Sequence, residues 1–188
     1  MGSIRKMTKA QLRQQDLDQE NPAFLAWLAR MDEEVERFFT EDAPAVGALE
    51  NRWTQEGLRI AAETARAMWP DYRAVLEPEN ADVVDRFGRY VGEVFVHAFE
   101  GSWRNVPGNG PDDVPFFACV GNIASIAYLE PFSVFKAAVA EGRAKNVPLH
   151  PGGTLVWLWG NARENYDQWV AAGQPSASEW ADIKFRRK

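Results

Sequence analysis

The stretch DRFGRYVGEVFVHAFEGSW, residues 85–103, decides the fold. Phe87, Tyr90 or Val91, Val94 and Ala98, led in by Val83, recur every three or four residues. That spacing predicts a helix from about Glu79 to Phe99, with these side chains on its inner face. Gly88 and Gly92 lie one turn apart, which makes a smooth strip where a neighbouring helix or strand can come close. Gly101 is the expected helix stop, because glycine adopts left-handed backbone angles without a steric penalty. Trp103 is the expected anchor of a strand that follows. On the same helix Glu93 and His97 form an i,i+4 pair. A carboxylate and an imidazole one turn apart suit an acid–base pair or part of a metal site, and equally a surface ion pair.

Upstream, residues 1–20 are polar, rich in Gln, Asp and Lys, and lack periodicity, so they are expected as a flexible arm or frayed helix. NPAFLAWLARMDEEVERFF then begins with Asn21 as N-cap and Pro22 at the first helical position. Phe24, Leu28, Met31, Val35 and Phe38 make its apolar stripe. A second helix is expected across residues 42–72, with Leu49, Trp53, Ile60, Thr64 and Met68 on one side. Leu58, Ala62 and Ala65 widen that stripe and Pro70 stops it. Gly57 weakens its middle by about 1 kcal/mol relative to alanine unless a neighbour packs there.

Downstream the period changes. SWRNV (102–106), VPFFACV (114–120) and ASIAYLE (124–130) read as three short strands. PGNGPDD (107–113) is turn material, and Gly121-Asn122 signals a tight hairpin. Pro131 opens a helix in which Phe132, Phe135, Ala138 and Val139 face inward and Gly142 is the stop. A last helix runs through Leu155, Leu158 or Trp159, Ala162, Tyr166 and Trp169 to Gly173; its first five residues fit a strand equally well. Residues 174–188 read as a tail. The expected architecture is a single α+β domain over 21–173: N-terminal helices, a small three-stranded antiparallel meander, and C-terminal helices packed on it.

At 188 residues the chain is long enough to bury a core without staples. Its formal charge of −6 lacks the basic stripe that nucleic acid requires and suits a basic protein partner. The one dense cationic run, KFRRK (184–188), is short and terminal, which is the pattern of a solvated tail. Cys119 is the only cysteine, which excludes an internal disulfide and a cysteine-built zinc site. No run approaches the roughly 18 apolar residues of a membrane span, and no apolar leader segment is visible. A cytoplasmic location is therefore expected, and no cofactor is implied.

Gly92-Glu93 on a helix, Gly101 and Trp103 where the first strand begins, and Pro131-Phe132 opening a helix with Lys136 and Gly142 form one ordered set of landmarks. This set resembles a pattern in bacterial families of unknown function, several of whose members are associated with toxin–immunity loci. The match covers about residues 85–142; PGNGPDD and the long N-terminal helical region depart from it. The resemblance implies a scaffold and a role as a small intracellular binding or immunity protein. It implies no chemistry.

Four groups of residues are candidates for function. Glu93 and His97 need a third ligand to hold a catalytic metal, and His150, Glu130 and Asp112 or Asp113 are the nominees. The structural alternative has Glu93 accepting backbone N–H groups from the following strand or the helix at 131, or pairing with Lys136 or Arg104. Cys119 lies mid-strand, where an inert buried thiol is expected. HPGGT (150–154) places two glycines before a helix N-terminus, as an anion site would, but without the P-loop lysine and spacing it reads as a flexible cap. Trp157 and Trp159 are about 200° apart on a helix, so with Trp169, Trp180 and Tyr166 they are either buried on two sides or form a contact surface. Asp32, Glu33 and Glu34 read as a solvated helix face or as an electrostatic guide for a basic partner.

The expected function is a non-enzymatic binding protein that occludes a partner through an acidic, tryptophan-containing surface: Trp157, Trp159 and Trp169 with Asp32, Glu33 and Glu34. An immunity protein covering the active site of a basic toxin is the specific form. The alternatives are a small metal-dependent or acid/base hydrolase built on Glu93, His97 and His150, and a homo-oligomeric structural protein joined through the tryptophan surface.

Overall fold

One helix, α7 (Ala81–Phe99), organises the computed structural model, which describes residues 8–122, 124, 125, 127–141, 143, 150 and 152–186. Before it come α1 (Lys9–Gln19), α2 (Pro22–Ala29), α3 (Met31–Arg37), α4 (Pro44–Gly47), α5 (Gln55–Met68) and α6 (Tyr72–Leu76). After it come β1 (Ser102–Asn105), β2 (Ala118–Gly121), α8 (Pro131–Ala140), α9 (Thr154–Ala171) and α10 (Ala177–Arg186). Helices α3, α5, α6, α8 and α9 and both strands pack on α7. The body is 69% helix, about twice the share of an ordinary globular domain, so it is a mostly helical single body with a small sheet.

The periodicity of α7 places its core side as expected, with Phe87, Tyr90, Val91 and Val94 buried together with Val84, Phe95 and Phe99. Val83 and Ala98 lie at the margins of that face, half-buried. Tyr90 stacks on Phe38 with centroids 4.5 Å apart, and Phe87 stacks on Phe135 at 4.9 Å. Each such ring contributes about 1.5–3 kcal/mol by leaving water. The two glycines admit their neighbours as the one-turn spacing predicts. A Cβ on Gly88 would fall inside the Phe132 ring of α8, and one on Gly92 inside the Trp103 ring of β1, both well under 3.0 Å. Gly57 of α5 has the same explanation: it faces the Tyr90 hydroxyl, which donates to Arg52 O at 2.8 Å.

Several sequence expectations are corrected. The helix α7 ends on Glu100, whose φ of 53° is left-handed, and not on Gly101. The Tyr166 hydroxyl donates to the Glu100 carboxylate and fixes that residue in place. Gly101 instead serves close packing, since a Cβ there would lie 3.0 Å from Val120 Cγ1. The sheet has two strands, paired Ser102 to Gly121 through Asn105 to Ala118, and not three. Among the described residues of the segment expected to supply the third, Leu129 alone pairs, exchanging N–H···O bonds of 2.9 and 2.8 Å with Val120. The Ser125 side chain accepts from Ala127 N and donates to Ala127 O, so the chain turns locally where a strand would have to extend.

The helix read across 42–72 is broken. Residue Thr54 starts α5 afresh by accepting from Gly57 N, and α5 buries Leu58, Ala61, Ala62 and Ala65 while Met68 is exposed. Asn21 caps α2 as expected, accepting from Ala23 N and Phe24 N, but α2 and α3 separate at Arg30. A π-type turn at Phe38–Asp42 follows α3, with Ala43 N–H reaching Phe38 O. The segment read as a flexible arm or frayed helix carries α1, whose Gln19 exchanges two 2.9 Å hydrogen bonds with the Asn105 backbone. The segment read as a tail carries α10, whose Trp180 is buried beside Trp169. Gly142, Pro151, Arg187 and Lys188 lie outside the described residues.

Candidate functional site

The last two turns of α7 present Glu93 and His97 to one side, with Trp103 behind and Trp53 in front. Trp103 Nε1 donates to Glu93 Oε1 at 2.6 Å, and His97 Nε2 lies 3.3 Å from Glu93 Oε2. Both carboxylate oxygens are therefore engaged. Lys136, Arg104 and the backbone of β1 or α8 are not the partners; the indole is. The His97 ring stacks on Trp53 with centroids 4.3 Å apart and planes 14° from parallel, and it stays 48% exposed.

Trp53 is held in turn by the segment before α5. Its backbone N–H donates to Asn51 Oδ1 at 3.0 Å, and its ring meets Phe39 edge-on at 5.6 Å. The α3 side adds Asp32 and Glu36, both exposed. These side chains enclose a hollow of about 250 Å³ whose lining includes Asp32, Glu36, Phe39, Trp53, Glu93 and His97. Arg52, also on its rim, lies 3.7 Å from Glu36 and places its guanidinium over Phe39 at 4.5 Å. The hollow is acidic and aromatic, which suits a cation with a flat or extended body.

His150 is elsewhere. Its ring stacks on Trp157 at 4.3 Å, and it lines a different hollow with Arg59, Glu63 and Arg66. The structure does not bring His150 to Glu93 and His97. Among the described residues no group of three or more His, Cys, Asp or Glu side chains is arranged to hold a metal. Asp112 and Asp113 are exposed, and Glu130 accepts from Asn109 Nδ2 at 3.3 Å.

The segment read as a flexible cap instead meets an anion that the chain itself supplies. Glu141, 3% exposed, accepts from Thr154 N at 2.8 Å and from His150 N at 2.7 Å. Its carboxylate thus satisfies a free N–H group at the start of α9 and meets the positive end of that helix's dipole. Gly152 and Gly153 take φ of 76° and 96°, left-handed values that glycine adopts freely, and Gly153 lies against the carboxylate.

The nominated contact surface is divided by the fold. Trp157 is 43% exposed, Trp159 is half-buried against Phe99, and Trp169 is buried at 4%. Trp169 is covered by α10 and donates to Pro175 O at 2.8 Å, so it is no contact residue. Of the acidic run, Asp32 and Glu33 are exposed, while Glu34 is buried at 3% among Arg30, Arg37 and Arg86. Glu34 therefore belongs to the interior. Cys119 is fully buried, and burial first, then the Glu130 charge, pushes its thiol up to about 12.

Sequence reasoning missed two buried arginines and the wall of the hollow. Arg86 makes a two-pronged pair with Asp42 at 2.5 and 3.0 Å, and the π-type turn after α3 aims Asp42 at it. Arg89 pairs with Asp85 at 2.6 Å, donates to Trp27 O at 2.9 Å and lies over the Trp27 ring at 4.0 Å. The available signal was positional: on α7 both arginines flank Phe87 and Gly88, inside the apolar arc. Trp53 and Arg52 gave none, because their segment read as helix interior.

No family model, curated protein or solved structure matches the chain. The class that fold and site define is a mostly helical single body with a two-stranded antiparallel sheet and an acidic, aromatic hollow on the α3–α7 face. None of the described helices is long and apolar enough to cross a membrane.

Proposed function

We propose that this is a non-enzymatic binding protein that receives a basic side chain of a protein partner in the hollow between α3, Trp53 and the end of α7. The observation that carries the reading is the convergence of Asp32, Glu36 and Glu93 on the stacked Trp53–His97 wall. A guanidinium or ammonium group gains from carboxylates at its edge and from aromatic faces beneath it. Arg52 supplies an internal instance of that contact, between Glu36 and the Phe39 ring. The net charge of −6 would steer a basic partner toward the molecule at long range. In its narrower form, as the resemblance implies, the partner is a basic toxin whose active site is covered on docking.

The test is a paired capture from lysate of the source cells, using wild-type bait and an Asp32→Asn/Glu36→Gln bait of equal helicity. Support is a protein retained by the first and lost from the second. Retention of the same proteins by both baits, or by neither, contradicts the reading.

A further inference from the structure

The acidic hollow on the α3–α7 face already holds a cation of the chain's own. Arg52 stands among its lining residues, in the stretch between α4 and α5. Its guanidinium lies 4.5 Å over the Phe39 ring and 3.7 Å from the Glu36 carboxylate, the same two kinds of contact that a foreign cation would seek there. The backbone beneath it is fixed. Arg52 O accepts from the Tyr90 hydroxyl at 2.8 Å and sits so close to Gly57 that a Cβ there would lie 2.6 Å from it. The side chain is held far more weakly. At 3.7 Å the pair with Glu36 is beyond hydrogen-bond distance, and both of its side chains are exposed. Exposed ion pairs and exposed cation–π contacts each contribute little. The buried arginines show the contrast, Arg86 reaching Asp42 at 2.5 Å and Arg89 reaching Asp85 at 2.6 Å. Three carboxylates, Asp32, Glu36 and Glu93, face this one guanidinium, so the hollow stays negative with Arg52 in it and still attracts a second cation.

We propose that Arg52 is the resident occupant of the hollow, a tethered competitor that an arginine side chain of the partner swings aside in order to seat between Glu36 and the Phe39 ring. The inference rests on the reading of this hollow as a receptor for a basic side chain, and it adds how access to that receptor is controlled. In the exchange one guanidinium replaces another on the same carboxylate and the same ring, while Arg52 passes into water. The free protein thus has a receptor that is closed to weakly held cations, and the affinity of the partner is lowered by the fraction of molecules in which Arg52 is seated.

The test titrates N-acetyl-arginine amide into the ¹⁵N-labelled full chain and into its Arg52→Ala variant, which keeps the carbonyl that Tyr90 uses. Held over the Phe39 face, the Arg52 Nε–H proton of the free protein should resonate upfield of a free arginine's, through the ring current. At saturation with the probe that signal should move to the free-arginine position. Arg52→Ala should bind the probe roughly five- to tenfold more tightly than the wild-type chain, the combined factor of one exposed ion pair and one exposed cation–π contact that no longer have to be broken. The proposal is overturned if Arg52→Ala binds no more tightly than wild type. It is equally overturned if the Arg52 signal keeps its upfield position at saturation, since tighter binding of the variant would then reflect relief of charge repulsion alone. Both outcomes leave the hollow as a receptor. Absence of a saturable shift in both chains overturns the receptor reading, and this proposal with it.

Discussion

Trp103 reaches back across the turn that ends α7, donates its indole N–H to Glu93 at 2.6 Å and rests its ring on Gly92. One side chain thus fastens β1 to α7 through a hydrogen bond and a surface contact that both depend on neighbouring residues of one helical turn. The pair Glu93 and Trp103 fixes the position from which His97 faces Trp53.

Gly92→Ala should destabilise the fold by about 1–3 kcal/mol, the cost of overpacking against a ring that has nowhere to go. Gly160→Ala in α9 is the contrast, since the nearest atom to a Cβ there is Gln55 Nε2 at 4.0 Å. That change should stabilise by up to about 1 kcal/mol, through helix propensity alone. Urea unfolding of both variants checks the pair, and a loss at Gly160 would contradict it.

Glu141→Ala should cost about 1.5–3 kcal/mol, because two N–H groups lose a charged acceptor. Hydrogen exchange should quicken at Thr154 before it does in the centre of α9. Unchanged protection of the Thr154 amide would show that the Glu141 carboxylate does not hold the loop.

Arg86→Met alone should cost about 3–5 kcal/mol by leaving Asp42 charged and buried without its partner. Asp42→Leu combined with Arg86→Met should recover a substantial part of that loss, since an apolar pair of similar volume needs no counter-charge. Denaturant midpoints of the single and double variants decide it. Equal destabilisation by the two would contradict a pairwise origin.

Legibility in the sequence tracked how local the cause was. Asn21 and Pro22 announced α2 because capping is settled within four residues, and Gly88 and Gly92 announced close approach because one turn is enough to align them. The missing third strand was not legible, since whether Ala127 continues the Val120–Leu129 pairing or turns back on Ser125 is a contest between two hydrogen-bonding schemes. Glu34 read as a solvated charge, because the buried Arg86 beside it comes from α7, far along the chain, and Arg86 is itself paired by the Asp42 that the π-type turn delivers. Trp169 read as a surface candidate because its cover, α10, lacks a periodic stripe strong enough to stand out from a tail. Of the acidic hollow, Glu93, His97 and Asp32 were legible as residues, and their meeting with Trp53 was not.

Alkaline solution should weaken the fold through Cys119. Its thiol is raised from 9.0 to about 12, so below pH 9 the protonated form is present in both states and nothing is lost. Above pH 9 the unfolded chain ionises while the folded thiol stays protonated, and stability falls until the folded value is passed. Burial raises Tyr90 as well, which adds to the same loss above its ordinary value. Cys119→Ala should flatten the decline of unfolding free energy above pH 9. In the native protein at pH 8 the thiol should resist a disulfide reagent until denaturant is added; rapid labelling would contradict its burial.

The central claim, that the hollow lined by Asp32, Glu36, Trp53, Glu93 and His97 recognises a basic side chain, is tested most directly with N-acetyl-arginine amide and its neutral isostere N-acetyl-citrulline amide. Each is titrated into ¹⁵N-labelled protein while the Trp53 indole and His97 signals are followed. The expected result is a saturable shift of both signals with the arginine compound, weakened by added salt and by Asp32→Asn, and no saturable shift with the citrulline compound. Equal responses to the two compounds, or shifts confined to other residues, would contradict it.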